Sequence, residues 1–322
     1  MMSNSHPCAA CFCSPLFLIL KTMNRWTVAT AVLLTFSITA DAGRLQFAFE
    51  RGAAIWVADL DGNNARRITT GSGADLSPDG REIVFNTDDS KAADLVREIA
   101  IADLGTKQIK IVEGIPSRNC QRAAWSPDGK QILFSIWMGS DWHLAVVSPN
   151  GAGFRYLKKA SPSHNSYWSA GWASDGKSIY SQDLTYLYQF DLQGRELKKW
   201  KLDSLFPKGS MNSGSSIACS PDGRRLLVEV DMDEEEANLP DWDGPPPSLW
   251  NLDLTSEKAT RLTRPGVLAS GGCWLDETHI LFTALSAKEK DPLIEKMDLL
   301  TKGTEPVLKN GLNPSVSRLS NR

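Results

Sequence analysis

The sequence predicts an all-β fold: a six-bladed β-propeller of four-stranded blades, with the first blade closed by the C-terminal strand. Three observations predict it. A Pro-Asp-Gly turn motif recurs along the chain, a second apolar segment follows each copy, and the two ends of the repeat region each supply part of one blade. The composition suits a globular chain, with 42% apolar and 23% charged residues among 322.

The first repeated element is a turn flanked by short apolar runs. Its copies begin at Leu76, Trp125, Trp172 and Cys219, with a degenerate copy at Trp274, spaced 47 to 55 residues apart. Pro fixes φ, Asp accepts hydrogen bonds from nearby backbone, and Gly adopts the left-handed conformation, so each motif predicts a β-hairpin. The acidic residues of these four copies, of which the copy at Trp172 has Ser174 in place of the proline, are accordingly predicted to be turn formers: Asp79, Asp128, Asp175 and Asp222.

The second repeated element is an apolar segment with β-branched and aromatic residues, which predicts a third strand in each unit. Its copies are residues 55–62, 99–105, 144–151, 187–194, 249–254 and, more weakly, 294–299. A short strand follows each copy, for example residues 66–69 and 260–263. Each unit therefore has four strands and no helical period, as in a propeller blade.

The two ends of the repeat region settle the number of blades. Residues 44–70 supply only three strands, and residues 313–317 align with the innermost strand of a unit, with Val316 at the position that Trp125 holds elsewhere. The last strand can therefore complete the first blade, which buries sheet edges that would otherwise pair promiscuously. Five complete units and one split unit make six blades.

Residues 1–42 are expected to be a signal region, and residues 43–322 the propeller. Met23 is the expected true start; the uncharged apolar run 26–39 is too short to span a membrane, and cleavage is expected after Ala42. The alternative for residues 1–22 is a lipid-modified or metal-binding cluster of Cys8, Cys11 and Cys13. We therefore expect a periplasmic or secreted protein without a stable membrane anchor.

The tandem Trp-Ser-Pro-Asp-Gly-Lys units, as at residues 125–130, resemble the propeller repeats of the TolB family and of other WD40-like exported propellers. The resemblance covers about residues 44–318. TolB is the periplasmic component of the Tol–Pal envelope system, and the resemblance implies a periplasmic propeller that docks a protein on one face. TolB also has an N-terminal α/β domain, for which no room is expected here, because the first strand starts two residues after the expected cleavage site.

Several chemistries have no support in the sequence. A net charge of −3 disfavours a nucleic-acid partner, and neither a Gly-x-Ser-x-Gly elbow nor a Gly-rich phosphate loop occurs. His143, His164 and His279 are expected on different parts of the fold, so no metal site and no cofactor are expected. Cys219 takes the Trp position and should be buried; Cys273 is one residue out of that register, so a disulfide between them is not expected.

In a propeller, the loops entering the innermost strands and the loops joining the second and third strands share one face, here called the mouth face. The opposite side, where the Pro-Asp-Gly turns lie, is the turn face. The candidate binding residues are the mouth-face positions Arg118, Asn119, Trp137, Asp141, His164, Asn165, Trp168 and Asn212. Trp and Arg dominate interface energetics, which favours a recognition surface; the alternative is that these loops only pack and bind water.

The functional hypothesis is a monomeric exported module that binds an envelope protein or a carbohydrate and has no catalytic residues. The alternative is a polysaccharide lyase or hydrolase at the channel mouth, with Asp141, His164 and Arg118 as the first residues to test. The acidic insertion from Asp231 to Asp243 is expected on the same face. It has three interpretations: a solvated loop, a partner-docking loop, or a calcium site.

Overall fold

The structure, a computed structural model, describes residues 45–88, 95–161, 166–236, 242–286 and 291–317. The expected signal region lies outside these residues. Within them, no helix is long and apolar enough to cross a membrane.

The described strands form six antiparallel sheets, one for each blade. Blade 1 consists of β1 (Gln46–Arg51), β2 (Ala54–Asp59), β3 (Arg66–Thr70) and, as its innermost strand, β25 (Leu312–Val316). Blade 2 consists of β4 (Ser72–Leu76), β5 (Glu82–Asn86), β6 (Ile99–Asp103) and β7 (Ile109–Ile111). Blade 3 consists of β8 (Cys120–Trp125), β9 (Ile132–Trp137), β10 (Trp142–Val147) and β11 (Arg155–Lys158).

The remaining blades continue the pattern. Blade 4 consists of β12 (Trp168–Trp172), β13 (Ser178–Gln182), β14 (Tyr186–Asp191) and β15 (Glu196–Lys201). Blade 5 consists of β16 (Gly209–Ser210), β17 (Ile217–Cys219), β18 (Arg225–Met232), β19 (Pro247–Asp253) and β20 (Ala259–Arg261). Blade 6 consists of β21 (Val267–Trp274), β22 (His279–Ser286), β23 (Leu293–Asp298) and β24 (Thr304–Lys309).

This arrangement confirms the predicted fold, including the closure of the first blade. Strand β25 pairs with β1, with Val316 opposite Phe47 and Leu312 opposite Glu50. Blade 5 differs from the expectation of four strands and no helix: its innermost strand is divided into β16 and β17, and a short helix, α1 (Leu202–Leu205), precedes it. The helix lies there because Leu202, Leu205 and the following Phe206 pack into the core of this blade.

The core consists of apolar layers packed between successive blades. The repeated position at the end of each innermost strand is buried in all six, whether it holds Leu76, a Trp, Cys219 or Val316. Two of the Trp side chains also join neighbouring blades: Trp172 Nε1 donates to Ala124 O at 3.1 Å, and Trp274 Nε1 donates to Ala218 O at 3.0 Å. The apolar repeat that identified the blades is therefore also what packs them together.

The Pro-Asp-Gly motifs form the tight turns between first and second strands, as predicted. Asp79 Oδ1 accepts hydrogen bonds from Ser77 Oγ at 2.7 Å and from Arg81 N at 3.1 Å. Asp128 and Asp222 make the same pair of contacts in their own turns. Asp175 accepts only the backbone N–H of Lys177, because Ala173 replaces the serine. These carboxylates are turn formers.

Five of the six innermost strands carry a bulge near the mouth face. In each, the pairing register shifts beside a residue with positive φ: Gly73, Arg122, Ser169, Gly271 and Asn313. A bulge re-aims the side chains around it and bends the strand. The inner strands can therefore line the channel at the turn face and still present polar side chains at the mouth.

A ring of polar side chains stands at one equivalent position in the second strand of every blade. Its members are Glu50, Asn86, Ser135, Gln182, Glu229 and Thr283. Five of them bond to the backbone of the next blade around the ring: Gly73 N to Glu50 Oε1 at 2.8 Å, Asn86 Nδ2 to Cys120 O at 3.1 Å, Gln182 Nε2 to Asn212 O at 2.9 Å, Gly271 N to Glu229 Oε2 at 2.9 Å and Asn313 N to Thr283 Oγ1 at 2.9 Å. The hydroxyl of Ser135 is buried without a partner.

Candidate functional site

The inner strands surround a central cavity of about 380 Å³ that opens at the mouth face. Asp75 spans three blades inside it: its Oδ2 accepts the backbone N–H of Trp125 at 2.8 Å, and its Oδ1 accepts the hydroxyl of Ser315 at 2.6 Å. Arg97, Gln121 and Arg122 line the cavity at the mouth face, where the inner strands begin. The channel is therefore polar at the mouth and apolar near the turn face.

Two of the predicted site residues, Arg118 and Asn119, flank a half-buried arginine, Arg97, that sequence reasoning missed. Arg97 donates to Asn119 Oδ1 from Nη2 at 2.8 Å and from Nε at 3.1 Å, and to Gln121 Oε1 at 3.3 Å. Burial lowers the pKa of the Arg97 guanidinium from its usual value. Arg118 is exposed and pairs with Glu98, with 2.9 Å between Nε and Oε1. Asn119 thus holds Arg97, and Arg118 points to solvent.

Arg97 also contacts an aromatic cluster at the same rim. Its Cζ lies 5.5 Å from the ring centroid of Trp142, which is buried between the predicted site residues Trp137 and Trp168. The centroid of Trp142 is 5.6 Å from that of Trp137 and 5.4 Å from that of Trp168. The rings are tilted by 51° and 46° to one another, so they pack as a cluster and offer no flat platform.

The other predicted site residues do not join this cluster as one site. Asp141 accepts the hydroxyl of Ser140 at 2.7 Å, in the loop between β9 and β10. Asn212 lies near blade 5 and donates from Nδ2 to Asp231 Oδ2 at 2.6 Å. His164 and Asn165 lie outside the described residues. The structure therefore brings together Arg118, Asn119, Trp137 and Trp168 through Arg97 and Trp142, and places Asn212 at a second location.

That second location is a cavity of about 410 Å³ at the mouth face beside blade 5. Its charged lining is Arg122 with the carboxylates of Glu229, Asp231 and Asp243. Burial raises the pKa of Glu229, an effect that the nearby Arg122 opposes, and burial also raises the pKa of Asp231. The guanidinium of Arg122 and these carboxyl groups thus line one open cavity with the volume of a small-ligand site.

The acidic insertion is more ordered than a solvated loop. Asp231 belongs to β18, Ser210 Oγ donates to Asp233 at 2.7 Å, and Lys208 Nζ lies 2.6 Å from Glu234. The guanidinium of Arg261 pairs with both carboxylate oxygens of Glu235. Neighbouring donors thus balance the first half of the insertion. Residues 237–241, including Asp241, lie outside the described residues.

Metal-binding and nucleophilic side chains are scattered in the described ranges. No group of three His, Cys, Asp or Glu side chains there could hold a metal ion. His143 lies on β10, where its Nδ1 accepts the N–H of Ala160, and His279 lies beside a turn at the other face. Cys120 and Cys219 are buried, and burial raises the pKa of Cys120 to about 12, so this thiol stays protonated at neutral pH.

Exposed apolar side chains surround the channel mouth. They occur in five successive blades, one each, and their exposed fractions run from 36% to 57%: Leu312, Leu95, Met138, Leu184 and Trp242. Four of them lie in loops joining the second and third strands, and Leu312 begins the innermost strand of blade 1. Large exposed apolar side chains that surround one opening are typical of an interaction surface.

The loop that carries Leu184 is fixed by hydrogen bonds. Asp183 Oδ1 accepts the N–H groups of Thr185 and Tyr186, its Oδ2 accepts the hydroxyl of Tyr188 at 2.8 Å, and Gln182 Oε1 accepts the N–H of Leu184 at 2.6 Å. Leu184 itself has φ 69° and is 49% exposed. Left-handed backbone is costly for leucine, and such strain concentrates at functional positions.

Sequence reasoning pointed to the mouth-face loops and missed residues that precede or follow them. Arg97, Trp142 and Glu229 are within or next to strands, where the apolar pattern marks them as structural. One signal was present: the apolar run Leu226-Leu227-Val228 is followed by a glutamate at the position where every second strand has a polar residue. Comparing the six units at that position identifies Glu229.

No protein-family model and no curated protein matches the sequence. Solved structures share the fold. TolB from Acinetobacter baumannii has a TM-score of 0.62 at 16% identity, over 85% of this chain and 66% of that chain. A putative TolB from Agrobacterium tumefaciens has a TM-score of 0.59 at 15% identity, over 85% of this chain and 97% of that one. A chain of the nidogen–laminin complex has a TM-score of 0.61 at 11% identity, over 85% and 99%.

These likenesses establish a TolB-like β-propeller fold. The chain spans 66% of the length of the Acinetobacter protein, and identities of 11–16% carry no residue roles across. One fold supports many functions, so the function of this chain has to be argued from its own surface.

Proposed function

We propose that this protein is an exported binding module that docks a partner protein on its mouth face. The observation that carries the proposal is the set of exposed apolar side chains around the channel opening, one in each of blades 1 to 5. Apolar and aromatic side chains inside a polar rim are the usual centre of a protein interface. The wide spacing of these side chains around the opening suits a partner that covers the channel.

The rigidity of this surface supports docking. The Leu184 N–H donates to Gln182, and Asp183 fixes the residues that follow, so little conformational entropy is lost when a partner covers this loop. Trp137 and Trp168 pack on the buried Trp142, which fixes the rim of blades 3 and 4 in the same way. A preformed surface binds more tightly than a mobile one of equal area.

A carbohydrate partner has less support than a protein partner. Sugar rings stack on flat, open aromatic faces, whereas the three Trp rings of the rim are tilted against each other and the middle one is 8% exposed. Leu184 and Met138 also offer apolar surface without the hydrogen-bonding groups that sugars require.

Site-specific photo-crosslinking tests the docking face. A photoreactive amino acid replaces Met138 or Leu184 in one pair of variants, and Leu300, which is 80% exposed in the β23–β24 turn on the turn face, in the control. We expect the same crosslinked protein from positions 138 and 184 in the envelope fraction, and none from position 300. Adding M138D to the variant crosslinking from position 184 should abolish the adduct.

Two results contradict the docking proposal: equal adducts from all three positions, or no protein adduct together with binding of the purified protein on a glycan array. Export is tested separately by sequencing the N-terminus of the mature protein, for which we expect Gly43. Recovery of the uncleaved chain from the cytoplasm contradicts the export part alone.

A further inference from the structure

The cavity beside blade 5 has unpaired charges of both signs, and the docking face does not use them. It measures about 410 Å³, within the usual range for small-ligand sites. Its lining combines residues from three parts of the ring: Arg122 of blade 3, Asn212, Glu229 and Asp231 of blade 5, and Asn313 of blade 1. Trp242 and Pro245 cover it from the β18–β19 loop.

Arg122 is the cation of this cavity. Its guanidinium, with five potential donors, makes no hydrogen bond to any residue in the described ranges. Its backbone has φ 53°, a left-handed conformation that costs a non-glycine residue energy and is retained where the side chain must point in a set direction. The guanidinium lies close to Gly214, because its Nη2 is 3.9 Å from the point where a Cβ on that glycine would stand. Asn212 Oδ1 is 2.9 Å from the same point, so both polar groups border Gly214.

The carboxylates of Glu229 and Asp231 face the same space. One oxygen of each accepts no hydrogen bond from the described residues. Glu229 is 7% exposed, and its Oε2 accepts both the hydroxyl of Ser216 and the N–H of Gly271, whereas its Oε1 accepts no hydrogen bond. Asp231 accepts the amide of Asn212 at Oδ2, and its Oδ1 accepts none. A carboxylate more than nine-tenths buried with a free oxygen is costly unless a ligand or water completes it.

A ligand with a single charge satisfies only part of this lining. A cation alone leaves the guanidinium of Arg122 without a partner and is repelled by it. An anion alone meets the carboxylates of Glu229, Asp231 and Asp243. A ligand that carries both charges a few ångströms apart complements Arg122 and the carboxylates of Glu229 and Asp231 together.

We propose that this cavity binds a free α-amino acid, with its carboxylate on Arg122 and its ammonium group between Glu229 and Asp231. The apolar lining, Trp242 with Pro245 and Pro247, receives its side chain, which favours an apolar or aromatic amino acid. Asn212 stands between the two charged halves and holds Asp231 in place. A peptide fits poorly, because its amine and carboxylate lie at opposite ends.

Calorimetric titration with L-phenylalanine and two analogues tests the assignment. L-phenylalaninamide lacks the carboxylate and N-acetyl-L-phenylalanine lacks the ammonium group, and a thermal-shift panel of the other amino acids ranks the side chains. We expect phenylalanine to bind and both analogues to bind about tenfold or more weakly, because each loses a charge-assisted hydrogen bond. R122Q and D231N should each weaken phenylalanine to a similar degree.

The control variant is R81Q, which removes an exposed turn-face arginine outside the cavity and should leave binding unchanged. Circular dichroism compares the folding of R122Q and D231N with that of the wild type. If R122Q fails to fold, the binding of phenylalanine to D231N, which keeps the shape of the side chain, tests the proposal in its place. Equal binding of phenylalanine and its amide overturns the proposal, as does a panel in which no amino acid binds. None of these outcomes depends on the crosslinking experiment, whose residues lie elsewhere on the face.

Discussion

Six side chains at one position of the repeat show how the ring is held together at the scale of residues. Each lies at the same position on the second strand of its blade and is polar. Five of them satisfy a backbone group of the following blade, so each contact holds an inner strand at the point where it leaves regular pairing. Buried backbone groups left unpaired by the bulges would otherwise destabilise the fold.

Replacing Thr283 by Val, which keeps its shape, removes the acceptor of the Asn313 N–H. We expect the free energy of unfolding to fall by about 0.5–1.5 kcal/mol, the usual net contribution of one hydrogen bond, because this bond is only partly buried. Ser135→Ala is the matched control, because it removes a buried hydroxyl that has no partner; stability should be unchanged or slightly higher. Urea unfolding followed by Trp fluorescence measures both. Similar losses in the two variants would show that the contact to Asn313 contributes nothing.

At the scale of elements, the bulges of the innermost strands determine what the mouth presents. Two of the five left-handed positions are glycines, Gly73 and Gly271, and their N–H groups are the ones that bond to Glu50 and Glu229. The other three are Arg122, Ser169 and Asn313, of which Arg122 and Asn313 line the cavity beside blade 5. The same backbone irregularity thus serves packing in some blades and ligand access in others.

Gly271→Ala tests how closely the inner strands approach one another at the bulge. A Cβ there would stand 2.6 Å from Asn313 Oδ1 and 2.9 Å from Asn313 Cα, so blade 1 would have to move. Gly52→Ala is the control, since Gly52 also has φ 60° and nothing within 4 Å. We expect Gly52→Ala to cost about 1 kcal/mol for its backbone conformation alone, and Gly271→Ala to cost clearly more by thermal unfolding. Equal melting temperatures for the two variants would refute the close approach.

The sequence predicts the elements well because the information is repeated. Every blade restates the turn motif and the apolar period, so a degenerate copy such as Trp274-Leu275-Asp276-Glu277 is identified by its neighbours. Features that occur once escape this reasoning. The helix α1 and the divided inner strand of blade 5 belong to a single blade, and the pairing of Arg97 with Asn119 depends on a contact between blades that no local pattern encodes.

At the scale of the whole molecule, stability depends on one pairing between distant parts of the chain. Strand β25 covers β1, and Val316, Phe47 and Phe49 belong to one apolar cluster. Without this pairing the sheet of blade 1 has an open inner edge, and the channel has a gap on one side. An open edge beside buried aromatic residues favours association with other chains.

A chain that stops after Gly311 lacks β25 and should lose cooperative unfolding and aggregate, because the edge of β1 and the rings of Phe47 and Phe49 are uncovered. A chain that stops after Ser317 keeps every described contact of β25, including the Ser317 N–H to Gln46 O, and should behave as the full chain does. Size-exclusion chromatography and calorimetric unfolding distinguish them. A monomeric shorter chain with an unchanged melting transition would contradict the role of the closing strand.

The pairing of β25 with β1 also sets the order of events during biosynthesis. The first sheet to leave the ribosome cannot be finished until residues 312–316 have been translated, so a nascent chain has no completed ring however many middle blades have formed. Such a late final step keeps the first blade open until the end of translation, so the finished ring can assemble only after the whole chain has been made.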